Sequence, residues 1–451
     1  MQMVERLAYW SVTLQMPIYI AQKNIAGGLE LSHIDKGIIY FWWALVQNLT
    51  PLLSGPIADK IGKKKVLHFS FVIIILSFFL MSFSRTFELL LFSTLFLGFG
   101  LGSFKPVLQG AIATELNKKN ASSGWAIYVL LVNLSVFLAP PLSIYLKGIN
   151  WQWLFWGSAI LFSVNYLFLS FYKEQANIDN IFNNQNKIHF KILWEHFKNP
   201  IIYKFILLMT GFTIVYMQFY ETLPNFIFDW IDTSKIASLL NLPEFMLMST
   251  PNGKMIAFEW LYNLNTGLII LLVVPLSLLT MKYQLTRVLS IGILVASIGL
   301  GLCGFFYIGS LVILGFIIYT IGEMITNPKF TEYLGKIAPD NLKSTYLSYL
   351  NISWAIGLAG GGLIGGFLYN NYGEKATLAK KYLEDVLHYN SNIQLKEATN
   401  ILSITLHKSQ SEITILLRDY FSPEIIWLPF IAIGLLSSFG LFLFKENKFD
   451  N

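Results

Sequence analysis

Three places in this sequence put ionisable side chains inside apolar stretches. Glu5 and Arg6 open the first, Lys105-Pro106 follows the glycine-lined run LGFGLGSFKPVLQ, and Glu323 stands four residues before Asn327 in IIYTIGEMITNPKF. A charge at the centre of a bilayer costs about 2.5–3.5 kcal/mol on insertion scales, so such a residue usually has a task. Arginine grips a carboxylate through a planar two-donor fork, lysine supplies a point charge, and a carboxylate receives an ammonium. Arg6 and Lys105 with Glu5 as counter-ion, facing Glu323, therefore suit a clamp for a zwitterion. Pro328 lacks a backbone donor, so the helix is expected to open there, with Glu323 facing a cavity about one turn before the break. Each residue also has a plainer reading. Lys105 can snorkel to the surface, Glu323 can pair structurally with another helix, and Glu5-Arg6 can be a polar flank at the membrane edge.

The elements that must hold these charges are membrane helices. The 451 residues are 55% hydrophobic, 16% aromatic and 13% charged, with mean hydropathy +0.56. Soluble domains carry about 25% charged residues. A crossing takes about 20 apolar residues. That length fits stretches near 4–23, 37–57, 66–83, 88–108, 122–145 and 151–171, then 200–228, 256–281, 286–305, 309–327, 344–369 and 423–444. The expected fold is an all-α polytopic membrane protein of about twelve helices. It divides into a bundle at 1–171, a polar linker at 172–199 and a second bundle at 200–451. Lysines such as Lys60, Lys64, Lys118, Lys173, Lys191, Lys282 and Lys336 crowd alternate loops. This predicts both termini and the linker on the cytoplasmic side of the cell (inner) membrane. The segment 370–421 lies on the opposite side. Its leucines and isoleucines recur every three or four positions, which predicts amphipathic surface helices.

Several function classes are disfavoured. The net charge of +6 resides in short loops that orient helices, so no nucleic-acid partner is expected. Cys303 is the single cysteine, which rules out an intrachain disulfide. No Walker loop, metal-ligand spacing or nucleophile–base pair is visible in the sequence, so neither an enzyme nor a metal or other cofactor is expected. A removable signal peptide is not expected either, because no basic leader precedes the first stretch. Asn48, Asp229 and Asn263 are polar within helices or rims and suggest no definite role.

The loop GPIADKIGKKKVL carries Gly55, Asp59, Gly62, Lys63 and Lys64. It resembles the major facilitator loop signature G-x-x-x-D-[RK]-x-G-[RK]-[RK] at every defined position, as two six-helix bundles joined by a linker also suggest. Further motifs narrow the likeness. Gly100 and Gly102 lead to Lys105-Pro106, and Gly322-Glu323 leads to Pro328 and then Ala338-Pro339. Ile39-Tyr40 precedes Pro51, Trp125 stands eight residues before Asn133, and Trp260 approaches Asn265. The chain is thereby similar to the proton-dependent oligopeptide transporter (POT/PTR) family, as a divergent member. It departs from the family at Gln2, where the first helix-1 glutamate would stand, at Asn265-Thr266 in place of asparagine-proline, and in having no room for two extra linker helices.

The resemblance implies a secondary transporter that moves di- or tripeptides with protons, driven by the proton gradient and acting as a monomer in the lipid bilayer. It places the peptide carboxylate at Arg6 and Lys105 and the ammonium at Glu323 with Asn265. Tyr9, Tyr40, Asn133, Gln218 and Trp354 would line side-chain pockets. Proton coupling would run through Glu5 or Glu323, since Gln2 cannot titrate. Two other readings stay open: a major facilitator for another small zwitterion or organic anion, such as an amino acid or drug, and a transporter-like sensor that binds without transport.

Overall fold

Prolines set where the apolar stretches divide. The first stretch folds as α1 (Gln2–Thr13) and α2 (Met16–Ala21), because Pro17 in the opening turn of α2 offers no donor to the turn before it. The second folds as α3 (His33–Leu49), opened by a capping box of Ser32 and Asp35, and α4 (Pro51–Ile61), which begins on its proline. Gly62, with φ +104°, turns the chain into α5 (Lys63–Phe83). There follow α6 (Phe87–Glu115), α7 (Ala121–Ile149), α8 (Trp151–Ser163) and α9 (Asn165–Phe171). This computed structural model describes residues 1–23, 25–115, 121–173, 197–250, 253–338, 343–389 and 393–444. Most of the expected linker 172–199 lies outside the described residues.

Beyond it, α10 (Pro200–Glu221) runs into α11 (Leu223–Trp230), the short α12 (Ser234–Leu239) and a hairpin of β1 (Leu247–Thr250) and β2 (Gly253–Ile256), with Leu247 opposite Ile256. Long helices resume with α13 (Phe258–Thr280), α14 (Leu285–Phe305), α15 (Gly309–Ile337) and α16 (Lys343–Leu368). The break expected at Pro328 is corrected, since α15 continues through it. Phe316, Tyr319, Phe330, Tyr333 and Leu334, on both sides of the proline, are buried, so packing holds the helix across one missing hydrogen bond. One π-helical turn, Tyr369–Gly373, leads to α17 (Lys375–Asp385), α18 (Leu395–Leu406) and α19 (Gln410–Phe421). These three helices bury Leu378, Leu383, Leu402, Ile413 and Leu417, the amphipathic pattern expected of 370–421, and together form a cap. A short turn, Pro423–Trp427, precedes α20 (Leu428–Leu443).

Among the described residues, ten helical stretches are long and apolar enough to cross a membrane, fewer than the expectation of about twelve. The shortfall lies in the first two stretches, whose interruptions leave helices of 12, 6, 17 and 11 residues. Phe69, Phe79, Leu207, Leu271, Leu278 and Phe439 point outward, as an integral membrane protein requires.

The helices pack in two groups. Before residue 172, α1 lies on α7 and α8, α3 on α6, and α5 on α6 and α8; after 199, α10 lies on α16 and α20, α13 on α15, and α14 on α15 and α20. Two extensive crossings, α3 on α16 and α7 on α13, join the groups, with a smaller one of α2 on α11. The first is very close. A Cβ added at Gly366 would stand 2.3 Å from the His33 carbonyl oxygen, and one at Gly37 would stand 2.6 Å from that of Gly362. Glycine lets these backbones touch.

Candidate functional site

Between the two groups lies a cavity of about 440 Å³, walled on one side by Arg6, Tyr9, Tyr40 and Lys105 and on the other by Tyr216, Glu221 and Trp354. Four of these groups ride on α1, α3 and α6, and three on α10 and α16. Glu5, fully buried, accepts on Oε2 both the Arg6 Nε–H at 2.7 Å and the Gln2 amide at 2.9 Å. Gln2 therefore serves as a fixed donor to Glu5. The Arg6 guanidinium also lies 5.3 Å from the centre of the Tyr9 ring, within cation–π range. Lys105 faces the cavity, and among the described residues no carboxylate lies within ion-pairing distance of it.

Glu323 lies in an adjoining cavity of about 100 Å³ with Asn133, Asn265 and Tyr262. Its carboxylate is buried and accepts hydrogen bonds from Asn265 Nδ2 at 3.1 Å, Asn327 Nδ2 at 3.4 Å and Tyr220 Oη at 3.5 Å. Thr320 Oγ1 accepts from the same Asn265 amide nitrogen at 2.9 Å. Among the described residues Glu323 has no cationic partner. Trp10, Tyr216 and Tyr220 line both cavities, and the Trp10 and Tyr220 ring centres are 5.5 Å apart. The two halves of the expected clamp are thus in neighbouring chambers, divided by an aromatic wall that itself comes from both helix groups.

The central cavity is closed at the cap end by a buried polar seam. Lys36 Nζ of α3 pairs with Glu221 Oε1 at 2.6 Å and donates to Asn225 Oδ1 at 2.9 Å. Gln22 donates to Asp229 at 2.7 Å and accepts from Asn225 at 3.1 Å. Beside them, Glu259 of α13 accepts from Gln15 at 2.7 Å and pairs with Lys147 at 3.3 Å. Sequence reasoning missed this layer. Lys36 reads as ordinary loop charge, and Asp229 had no assigned role. Glu221 and Glu259 lie inside apolar stretches, so the insertion-cost criterion that selects Glu323 also selects them.

Tyr9, Tyr40 and Trp354 line the main cavity, and Asn133 and Asn265 line the smaller one. Gln218 is a correction. It is fully buried and donates to the Gly361 carbonyl at 2.9 Å while accepting from Thr222 Oγ1 at 2.7 Å. Its amide nitrogen joins α10 to α16 and its oxygen is held by Thr222 one turn further on, so both ends are occupied and neither cavity is lined by Gln218. In the loop signature, Lys63 Nζ donates to the Gly110 carbonyl at 3.2 Å and Lys64 Nζ to that of Tyr172 at 3.0 Å. Gly55 meets open space, and the Asp59 side chain lies outside the described groups.

Comparison with known proteins follows the same lines. The sequence profile of the Major Facilitator Superfamily matches residues 1–255. The quinolone resistance protein NorA of Staphylococcus aureus is 20% identical over 195 residues, which cover 43% of this chain and 49% of that protein. The chain thus spans about half the length of this curated relative. The nucleoside transporter NupG superposes with a TM-score of 0.70 and 14% identity, covering 99% of this chain and 98% of that one. A POT family transporter in complex with 5-aminolevulinic acid superposes with a TM-score of 0.64 and 17% identity, over 94% of this chain and 95% of that one. At these identities the solved structures share the fold.

Proposed function

Because the chain belongs to the major facilitator superfamily, we propose that it carries di- or tripeptides, or peptide-like zwitterions, across the membrane by alternating access with proton symport. One observation carries the reading: Lys105 and Glu323, each without an ion-pair partner among the described residues, occupy adjoining chambers of one interface. A peptide carboxylate at Lys105 and Arg6 and its ammonium at Glu323 would supply both missing partners. Movement of the wall formed by Trp10, Tyr216 and Tyr220 would join the chambers. In this reading the broken pairs α1–α2 and α3–α4 complete about twelve crossings, the bundles are 1–171 and 200–451, and the cap is extracytoplasmic. The cavity then opens toward the cytoplasm. Glu5 and Glu323 are the proton-carrying candidates.

A second reading is an amphipathic organic cation seated at Glu323 among the Trp10, Tyr216, Tyr220 and Tyr262 rings. Such a cargo does not need Lys105. The test is uptake into proteoliposomes of alanyl-alanine and its N-acetyl derivative, with and without an inward proton gradient. Accumulation of the free dipeptide that requires the gradient is expected. Lys105→Ala and Glu323→Gln should each lower uptake about 10–100-fold, the weight of one lost charge-assisted hydrogen bond. Glu323→Gln should also abolish discrimination against the N-acetyl form. Near-normal dipeptide uptake by both variants would sink the clamp.

A further inference from the structure

A third cavity, of about 130 Å³, sits at the cap end, across the seam from the central one, with α18 and α19 as its roof. Its walls include Gln22 and Lys23 from the chain after α2, Asp229 of α11, Ser249 of β1, and Glu374 and Lys375 at the start of α17. Lys23, Asp229, Glu374 and Lys375 are all at least nine-tenths buried, at 7%, 6%, 3% and 7% exposure. Two buried cations and two buried carboxylates around one void are costly unless their hydrogen-bonding capacity is used.

That capacity is not used up. Glu374 Oε2 accepts from Thr377 Oγ1 at 2.6 Å, but Oε1 has no hydrogen-bond partner among the described residues. The nearest basic side chains to Oε1 are the His33 imidazole, with Nε2 at 3.7 Å, and the Lys23 ammonium, with Nζ at 4.0 Å, beyond good hydrogen-bond reach. The Lys375 ammonium has three donors and among the described residues gives one bond, to Thr414 Oγ1. A neutral occupant carrying both signs satisfies both ends without unbalancing the site. At about 10–15 Å³ of such space per water-sized atom, the void has room for roughly ten non-hydrogen atoms, the size of an amino acid or a small dipeptide.

We propose that this chamber is an outer binding site for a small zwitterion, whose carboxylate meets Lys375 and whose ammonium meets Glu374 Oε1. The substrate class rests on the function proposed above; the site itself rests on the chamber. Gln22 and Asp229 wall the chamber and also bond one another across the seam. An occupant that competes for either group weakens the seam, so outer binding biases the cap end toward opening.

The test uses full-length protein in liposomes. Ser249 is exposed at the rim of the chamber, while the single native cysteine, Cys303, is fully buried, so Ser249→Cys is a unique reporter for maleimide applied from the cap side. Alanyl-alanine should slow its labelling. Glu374→Gln or Lys375→Met should raise the half-protecting concentration about tenfold or more. Lys105→Ala, which removes one of the two central-cavity cations, should leave protection intact. If the charge variants do not fold, Thr399→Phe, which fills the chamber from α18, should abolish protection. Unprotected labelling in protein that transports the dipeptide overturns the outer site. Protection that disappears with Lys105→Ala also overturns it, because the effect then originates centrally. Protection in protein that transports no dipeptide sustains the outer site and refutes the proposed function instead.

Discussion

Lys36 and Glu221 show how much a single side chain can be worth when its partner crosses the seam. Both are buried, at 0% and 1% exposure, and 2.6 Å separates Nζ from Oε1. Removing one partner leaves an uncompensated buried charge, which costs about 3–5 kcal/mol, whereas replacing both by apolar groups is often close to neutral. Lys36→Met should therefore lower the thermal unfolding temperature sharply, and Lys36→Met with Glu221→Met should restore most of it. Equal losses in the single and double variants would mean that the pair is not energetically coupled. The candidate site residues legible in the sequence were those whose cost announces itself: Glu5, Arg6, Lys105 and Glu323 each interrupt an apolar run. Gln218 was misread because an amide in a helix gives no sign of whether its partners are a ligand or the neighbouring backbone. Lys36 was misread for the opposite reason, since it sits close enough to a helix end to pass as loop charge.

At the scale of elements, the long apolar stretches were legible because about 20 residues of uninterrupted hydrophobicity have few other uses. Their interruptions were less so. Pro17 and Pro51 divide their helices while Pro328 does not, and that difference comes from flanking packing, which is tertiary. The β1–β2 hairpin, with strands of 4 residues, is too short for a periodic signal. The α3–α16 contact gives a direct test of the glycine seam. Gly366→Val places carbon within the van der Waals radius of the His33 carbonyl, and overpacking of this kind costs about 1–3 kcal/mol. The variant should favour the cap-open state, read as a longer distance between spin labels at Leu29→Cys and Leu240→Cys. An unchanged distance distribution would show that the helices slide to accommodate the side chain. In the cap, Ser409 and Glu412 form a capping box at the start of α19. Hydrogen bonds from the Ser409 hydroxyl and backbone hold the Glu412 carboxyl below its ordinary value of 4.5. Because the folded-state value is depressed, the cap's contribution is complete above the ordinary value and disappears as pH falls through the lowered one. Amide exchange at Ile413, corrected for intrinsic rate, should accelerate in that acid range, and Glu412→Gln should flatten the dependence.

For the molecule as a whole, polarity is unevenly distributed along the interface between the helix groups. The central cavity is rimmed by aromatic rings, while the cap-end closure is made of Lys36, Glu221, Asn225, Gln22, Asp229, Gln15, Glu259 and Lys147. Opening that closure exchanges each bond for one to water. Hydrating apolar surface raises heat capacity, and hydrating polar surface lowers it. A closure rich in ions and amides should therefore open with a heat-capacity change near zero or negative, unlike the separation of two greasy faces. The equilibrium between cap-closed and cap-open forms, measured by the same spin-label pair from about 5 to 40 °C, should give a nearly straight van 't Hoff plot, because curvature scales with the heat-capacity change. Strong curvature of the sign that a positive heat-capacity change produces would mean that the glycine-lined α3–α16 contact, rather than the ion pairs, dominates the energetics. A protein closed in this manner would switch with similar ease in the cold and in the warm, its conformational balance set by charge pairing and little affected by the temperature dependence of hydrophobic association.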